Sequence, residues 1–253
     1  MVAEIRAPLF VPANRPERFA KAAASGADAV ILDLEDAVAA EAKDAARDAL
    51  RLIEGIPVLV RINAIGSRWH EADLAAVRAL KPAAVILPKA EAAGLDLGLP
   101  VIALIETARG MAEARQIAPQ VARIAFGSID YCAELGCAHL REVLLPARSE
   151  LVLASRLAGI AAPIDGVTTA LDDVAVTAGD AAHARDLGMT GKLCIHPRQI
   201  EPVLGAFRPS EAELDWARRG LASGDGAAQI DGAMVDEPVR IRARALLARA
   251  ATA

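Results

Sequence analysis

The chain has 253 residues, 54% hydrophobic and 24% charged, with a formal net charge of −5 carried by interspersed acids and bases. That balance, with only 3% aromatic residues, excludes a basic nucleic-acid footprint with stacking platforms, and no apolar run reaches the length of a membrane span. The start, Met1-Val-Ala-Glu-Ile-Arg6, lacks the apolar core of a signal peptide, and Cys132, Cys137 and Cys194 form no Cys-x-x-Cys pair, so a cytoplasmic protein is expected.

Apolar β-type runs alternate with Ala-rich amphipathic ones. Residues 9–12 read as a first strand, after which Asn14 supplies a cap and Pro16 a first-turn proline for a helix. Residues 27–33 form a second strand, 41–54 a helix, 57–63 a third strand and 71–80 a helix. Residues 83–89 and 101–106 make strands four and five, with too little chain between Lys89 and Pro100 for a helix and its loops. A helix over 109–118, a strand over 123–130, a helix over 141–158, a strand over 163–167 and a helix over 172–187 follow. Residues 191–196 are the eighth strand, with a short helix after Pro197.

Continuous rather than alternating apolar strands imply burial on both faces and a parallel sheet. Eight β/α steps in this length predict an α/β fold, a (β/α)8 TIM barrel over 1–208. A doubly wound sheet is the alternative, disfavoured because no Gly-x-Gly-x-x-Gly follows the first strand. In 209–253 the pattern changes: Ser210 and Glu213 have capping-box spacing, Gly224-Asp-Gly226 breaks the helix, 229–235 reads as a hairpin turning at Asp231-Gly232, and a last helix starts near Pro238. This extension is expected to pack on a neighbouring subunit or over the barrel mouth.

The carboxyl ends of barrel strands face the active site. Here they carry Asp33, Glu35 and Asp36, then Arg61 and Asn63, Lys89, Glu106, Asp130, Asp165 and His196. Glu106 and Asp130 end consecutive apolar runs and are oxygen donors without a nearby His or Cys, which favours Mg²⁺ first and Mn²⁺ second; the alternative for each is pairing with an arginine or capping a helix. Arg61 lies inside an apolar strand and needs an anion, either a substrate carboxylate held by its fork or a salt bridge to Glu35, Asp36 or Glu106. Arg15 is a second anion candidate or an exposed helix-start cation. Gly127 and Ser128 offer backbone N–H groups to a carboxylate. The Asp33/Glu35/Asp36 cluster is a candidate base or holder of metal waters, or pairs with nearby cations. His70, His139 and His183 fall on helices or loops and form no metal set, and His196 suits a structural turn.

Several segments, in order, resemble one family: Leu9-Phe-Val-Pro-Ala-Asn-Arg15-Pro-Glu-Arg18, Ile31-Leu-Asp-Leu-Glu-Asp-Ala-Val38, Val60-Arg-Ile-Asn63, Leu87-Pro-Lys89, Leu104-Ile-Glu-Thr107, Phe126-Gly-Ser-Ile-Asp130, Ile164-Asp-Gly-Val167 and Gly191-Lys-Leu-Cys-Ile-His-Pro197. They look like those of citrate lyase β-subunit-like proteins of the HpcH/HpaI aldolase superfamily, which includes malyl-CoA and citramalyl-CoA lyases. Each motif is weak alone; their order over nearly the whole chain is specific. The resemblance implies a Mg²⁺-dependent carbon–carbon lyase that converts a 3-hydroxyacyl-CoA-type thioester (citryl-, malyl- or citramalyl-CoA-like) into a 2-oxo acid, such as oxaloacetate, and acetyl-CoA. It implies Glu106 and Asp130 as metal ligands, Arg61 as the residue holding the oxo acid, and Arg15 and Lys192 in segments lining the CoA-binding mouth. It also implies a trimer or hexamer in which Asp236, in Met234-Val-Asp236, reaches a neighbour's active site. Proton transfer then falls to Asp236 in trans or to Asp33, Glu35 or Asp36. The competing readings are a CoA-independent class II aldolase for small hydroxy-oxo acids and a non-catalytic subunit that binds CoA or acyl-carrier protein.

Overall fold

The computed structural model describes residues 2–224 and 226–251. Two compact units divide the chain, Met1–Leu204 and Gly205–Ala253.

The first unit is built on eight parallel strands: β1 (Pro8–Pro12), β2 (Ala29–Asp33), β3 (Val58–Arg61), β4 (Ala84–Leu87), β5 (Val101–Ile105), β6 (Arg123–Phe126), β7 (Ala161–Asp165) and β8 (Gly191–Lys192). Each pairs with the next in sequence. The ring is closed by hydrogen bonds from Lys192 N to Arg6 O (2.7 Å), Cys194 N to Pro8 O (2.9 Å) and Phe10 N to Cys194 O (2.9 Å). Alternate residues fill the interior: Ala29 and Ile31, Ala84 and Ile86, and Ile102 and Leu104 form one buried cluster with Leu59, Ala125, Ile164 and Leu193. The residues between them, such as Val30, Leu32, Val85 and Ala103, are equally buried on the outer face. This two-sided burial is the physical reason the strands read as unbroken apolar runs.

The outer layer comprises α1 (Phe19–Ala23), α2 (Lys43–Asp48), α3 (His70–Leu80), α4 (Ala108–Ile117), α5 (Ser128–Leu135), α6 (Arg141–Ala158) and α7 (Val174–Asp186), followed by α8 (Ile200–Phe207). No helix joins β4 to β5, as the short spacer requires. Three expectations need correction. Asn14 caps nothing: the first turn, Pro16–Arg18, has Arg15 as its N-cap and no side-chain cap bond. Helix α2 stops at Asp48 with Ala49 as its C-cap, and beyond it Arg51 Nη2 lies 3.0 Å from Pro16 O with its guanidinium 4.7 Å from the Phe19 ring centre. Strand β6 ends at Phe126, where Gly127 turns the chain directly into α5.

Arg123 fastens the end of the barrel away from the strands' carboxyl ends. It is fully buried, and its guanidinium donates to Ala162 O (2.7 Å), Val2 O (3.0 Å), Ile5 O (2.6 Å) and Thr190 Oγ1 (2.9 Å). Burial lowers its pKa to about 10, against the opposing charge of Asp28. Arg123→Met strands several buried acceptors, each costing roughly 1–3 kcal/mol. A loss of about 3 kcal/mol or more in unfolding free energy is expected by urea titration.

In the second unit, Ser210 and Glu213 form a reciprocal capping box at the start of α9 (Glu211–Ala222). Strands β9 (Ala228–Ile230) and β10 (Ala233–Val235) pair antiparallel about Asp231 (φ 50°) and Gly232 (φ 81°), a turn with two left-handed residues. Helix α10 (Glu237–Ala251) packs on α9 through Ala217, Ala243 and Leu246. Among the described residues, no helix is long and apolar enough to cross a membrane.

Candidate active site

The carboxyl ends of β2 and β3 meet in register at Asp33 and Arg61. Arg61 forks onto Asp33, with Nε–Oδ1 and Nη2–Oδ2 both at 2.7 Å. Its Nη1 lies 3.1 Å from Glu35 Oε2 and 3.7 Å from Asp36 Oδ2, and the guanidinium stacks 4.8 Å from the Phe10 ring centre. Burial alone would lower the Arg61 pKa, but these carboxylates raise it above its ordinary value. The main partner is thus Asp33, where the sequence pointed to Glu35, Asp36 or Glu106. Asp33 also accepts N–H bonds from Glu35 (2.9 Å) and Ala37 (3.3 Å), so it is an anchor rather than a free base. Asp36 is exposed.

Glu106 follows β5 and is 1% exposed. Its Oε1 accepts the Lys89 N–H at 2.8 Å, while its buried Oε2 has no hydrogen-bond partner. Burial pushes its pKa up to about 8, reinforced by the charges of Glu35 and Asp130 and opposed by the Lys89 N–H and by Arg61. Burial likewise raises the pKa of Glu35, against Arg61 and Lys89. Lys89 Nζ sits 2.8 Å from Glu35 Oε1. A cavity of about 220 Å³ brings Glu106, Asp130, Arg61, Asp33 and Asp36 together with Phe10, Gly127 and Ser128.

Asp130 stands on the first turn of α5 rather than at a strand end, yet it reaches the same cavity as Glu106. An unpartnered buried carboxylate oxygen beside a second carboxylate suits a hard cation. Among the described residues, no three His, Cys, Asp or Glu side chains are grouped to hold a metal. Two protein carboxylates leave the remaining positions to water and a chelating ligand, the habit of Mg²⁺. Gly127 makes room for this arrangement: a Cβ there would run into the Glu106 side chain. Its own N–H is used by Ile105 O (2.9 Å), so it does not donate to a ligand as expected. Ser128 N–H, in contrast, belongs to the first turn of α5, whose amides have no intrahelical acceptor. The Ser128 hydroxyl lies 2.9 Å from His139 Nε2, against Gly166, where an added Cβ would strike it.

Lys192 departs from its expected place at a mouth. It is 1% exposed, with Nζ 3.0 Å from Asp165 Oδ2 and 2.6 Å from Gly166 O. Burial would raise the Asp165 pKa, but Lys192 and Arg148 together hold it below the usual carboxylate range. Arg15 is exposed, 3.9 Å from Glu17, and does not line the cavity. Asp236 lies in the second unit, where its Oδ1 accepts the Val239 N–H (3.3 Å) at the head of α10. His196 caps its turn through the Arg198 N–H, and His70 Nδ1 bonds Asn63 O. One residue escaped sequence reasoning and another was only partly read. Lys43 is buried, with Nζ held by Leu34 O, Glu35 O and Asn63 Oδ1, and nothing in its helical pattern marks it. Lys89 was legible only as a lysine at a strand end; its bonds to Glu35 and Glu106 follow from a left-handed backbone, φ 48°.

The HpcH/HpaI aldolase/citrate lyase family matches residues 6–96 and 95–197. A citrate lyase subunit beta-like protein of Mycobacterium tuberculosis is 44% identical over 97% of this chain and 95% of its own length. A (3S)-malyl-CoA thioesterase of Cereibacter sphaeroides is 34% identical over 97% of this chain and 94% of its own. The crystal structure of protein CitE from M. tuberculosis, in complex with magnesium, acetoacetate and coenzyme A, superposes with a TM-score of 0.91 at 42% identity over 99% of this chain and 100% of that one. A citrate lyase beta subunit from the same organism, complexed with oxaloacetate and magnesium, gives a TM-score of 0.76 at 40% identity over 82% of this chain and 99% of that one.

Proposed function

The chain belongs to the HpcH/HpaI aldolase/citrate lyase family, and on that premise we propose that it is a Mg²⁺-dependent carbon–carbon lyase. It cleaves, or forms, a 3-hydroxyacyl-CoA-type thioester, giving a 2-oxo acid and acetyl-CoA. The observation that carries this reading is the unpartnered, buried Oε2 of Glu106 sharing a cavity with Asp130. The magnesium, oxaloacetate and coenzyme A bound by similar proteins support it.

In this reading Glu106 and Asp130 hold Mg²⁺, with Mn²⁺ as a substitute. When bound, the ion stabilises negative charge on the oxo-acid oxygen as the bond breaks. Arg61 supplies the positive charge facing the oxo-acid carboxylate, held rigid by its fork onto Asp33. The first-turn amide of Ser128 adds a donor for the same carboxylate. Cleavage removes the 3-hydroxyl proton as the C–C bond breaks and leaves an acetyl-CoA enolate that takes one proton back; Glu35, Asp36 or Asp236 of a neighbouring copy carries out these transfers. Arg15, exposed, is available to the CoA phosphates. A cytoplasmic trimer or hexamer completes the reading. Three free cysteines are consistent with that compartment, and the exposed Met234 beside Asp236 with an interface.

The test is an assay of malyl-, citramalyl- and citryl-CoA with Mg²⁺, following oxo acid, acetyl-CoA and free thiol separately. Equimolar oxo acid and acetyl-CoA are expected. Free CoA without acetyl-CoA identifies thioester hydrolysis, and cleavage of free hydroxy-oxo acids identifies the CoA-independent aldolase.

The raised Glu106 pKa sets a pH dependence. Between the ordinary carboxyl range and about 8, the unfolded chain has lost a proton that the folded protein keeps. Metal-free stability therefore falls as pH rises through that window, by up to about 1.4 kcal/mol per unit. Mg²⁺ competes for the same oxygen. The gain in Tm from saturating Mg²⁺ is expected to be small near about pH 6 and to grow towards about pH 8.5 in thermal melts.

A further inference from the structure

Among the described residues, three non-glycine residues have positive φ: Lys81, Lys89 and Asp231. Lys81 closes helix α3 and Asp231 turns the hairpin, places where the left-handed conformation is usual. Lys89 serves neither purpose, and an L residue adopts this backbone only at an energetic cost. The conformation lets one residue grip two carboxylates. The backbone N–H takes Glu106 Oε1 and the ammonium takes Glu35 Oε1, each at 2.8 Å. Glycine would fit the backbone more cheaply, but it would free Glu35 Oε1 and leave that side chain to Arg61 alone, 3.1 Å from Oε2.

Glu35 needs that hold. Lys89 ties it to Glu106 through two bonds of 2.8 Å, and the charges of Glu35 and Asp130 both bear on Glu106. A hard divalent cation accepts any carboxylate oxygen in reach. A third protein ligand would bind the ion more tightly and remove a coordination position from a chelating substrate.

We propose that Lys89 is a positioning residue that holds Glu35 away from the cation, so that Glu106 and Asp130 remain its two protein ligands and the oxo acid keeps its place. This rests on the metal-dependent reading above. Oε2 is the Glu106 oxygen left without a hydrogen-bond partner, since Oε1 accepts the Lys89 N–H. The Lys89 side chain is 42% exposed, so removing its charge disturbs the fold little.

The test compares wild type, Lys89→Met and Lys89→Arg by Mg²⁺ calorimetry without substrate, by turnover and by thermal melting. Removing the ammonium strengthens attraction for the cation. Lys89→Met is expected to bind Mg²⁺ about three- to tenfold more tightly while kcat falls on the order of 100-fold and Tm moves by only a few degrees. Lys89→Arg, which restores the ion pair, is expected to return both affinity and kcat most of the way. Unchanged or weaker Mg²⁺ binding in a folded Lys89→Met protein overturns the proposal, as does unchanged kcat. If wild type binds Mg²⁺ but cleaves no CoA thioester, the lyase reading falls and the affinity comparison alone decides the role of Lys89. If wild type binds no Mg²⁺, both fall.

Discussion

Glu106→Gln is expected to lower kcat/KM for the acyl-CoA substrate by at least about 10³-fold, equivalent to about 4 kcal/mol of transition-state stabilisation. Glutamine keeps the size of the side chain and an acceptor for the Lys89 N–H, but it cannot present an anionic oxygen to a cation. The same change removes the cost of ionising a carboxyl whose pKa lies near 8. The metal-free variant should therefore be at least as stable as wild type above about pH 8, a comparison made by urea titration with Mg²⁺ chelated. Activity and stability move in opposite directions, which separates loss of the cation seat from misfolding. Full metal-dependent activity in the variant would show that the seat lies elsewhere.

The second large effect concerns Arg61, which neutralises the buried Asp33 and Glu35. Arg61→Ala leaves both without their principal cation, and breaking a buried pair from one side costs about 3–5 kcal/mol. Weak expression or a much-reduced Tm is the expected outcome. Arg61→Lys is the more informative variant. It keeps the charge, but an ammonium cannot reproduce the two parallel 2.7 Å bonds to Asp33. A folded protein is expected, with a raised KM for the oxo acid in the condensation direction and kcat/KM lowered about 100-fold. If Arg61→Lys left the oxo-acid KM unchanged, the guanidinium would have only a structural part.

The barrel was legible because strands buried on both faces leave an unbroken apolar signature, and because the helix from Arg141 to Ala158 has one strong period. Glu106 was legible because an acid is costly at the end of such a run, and Asp130 because it closes the next apolar stretch, although a helical turn rather than a strand carries it. The strand-to-helix change at Gly127 was not: Ile124 to Ile129 is apolar but for Ser128, and a short apolar run does not distinguish strand from first helical turn. Nor could local pattern assign Arg61 to Asp33, since that pairing comes from the register of two strands 28 residues apart. Lys192 shows the same limit, because whether a strand lysine points to a mouth or into a core depends on pleat. In Lys89 the information lies in a backbone angle that no neighbouring residue announces.

Gly127 holds one further consequence. Its φ of −87° is open to any L residue, so the backbone does not demand glycine. What demands it is the volume taken by the Glu106 side chain. A single added methyl group would displace that carboxylate. The glycine at this position is therefore required by the site and not by the fold.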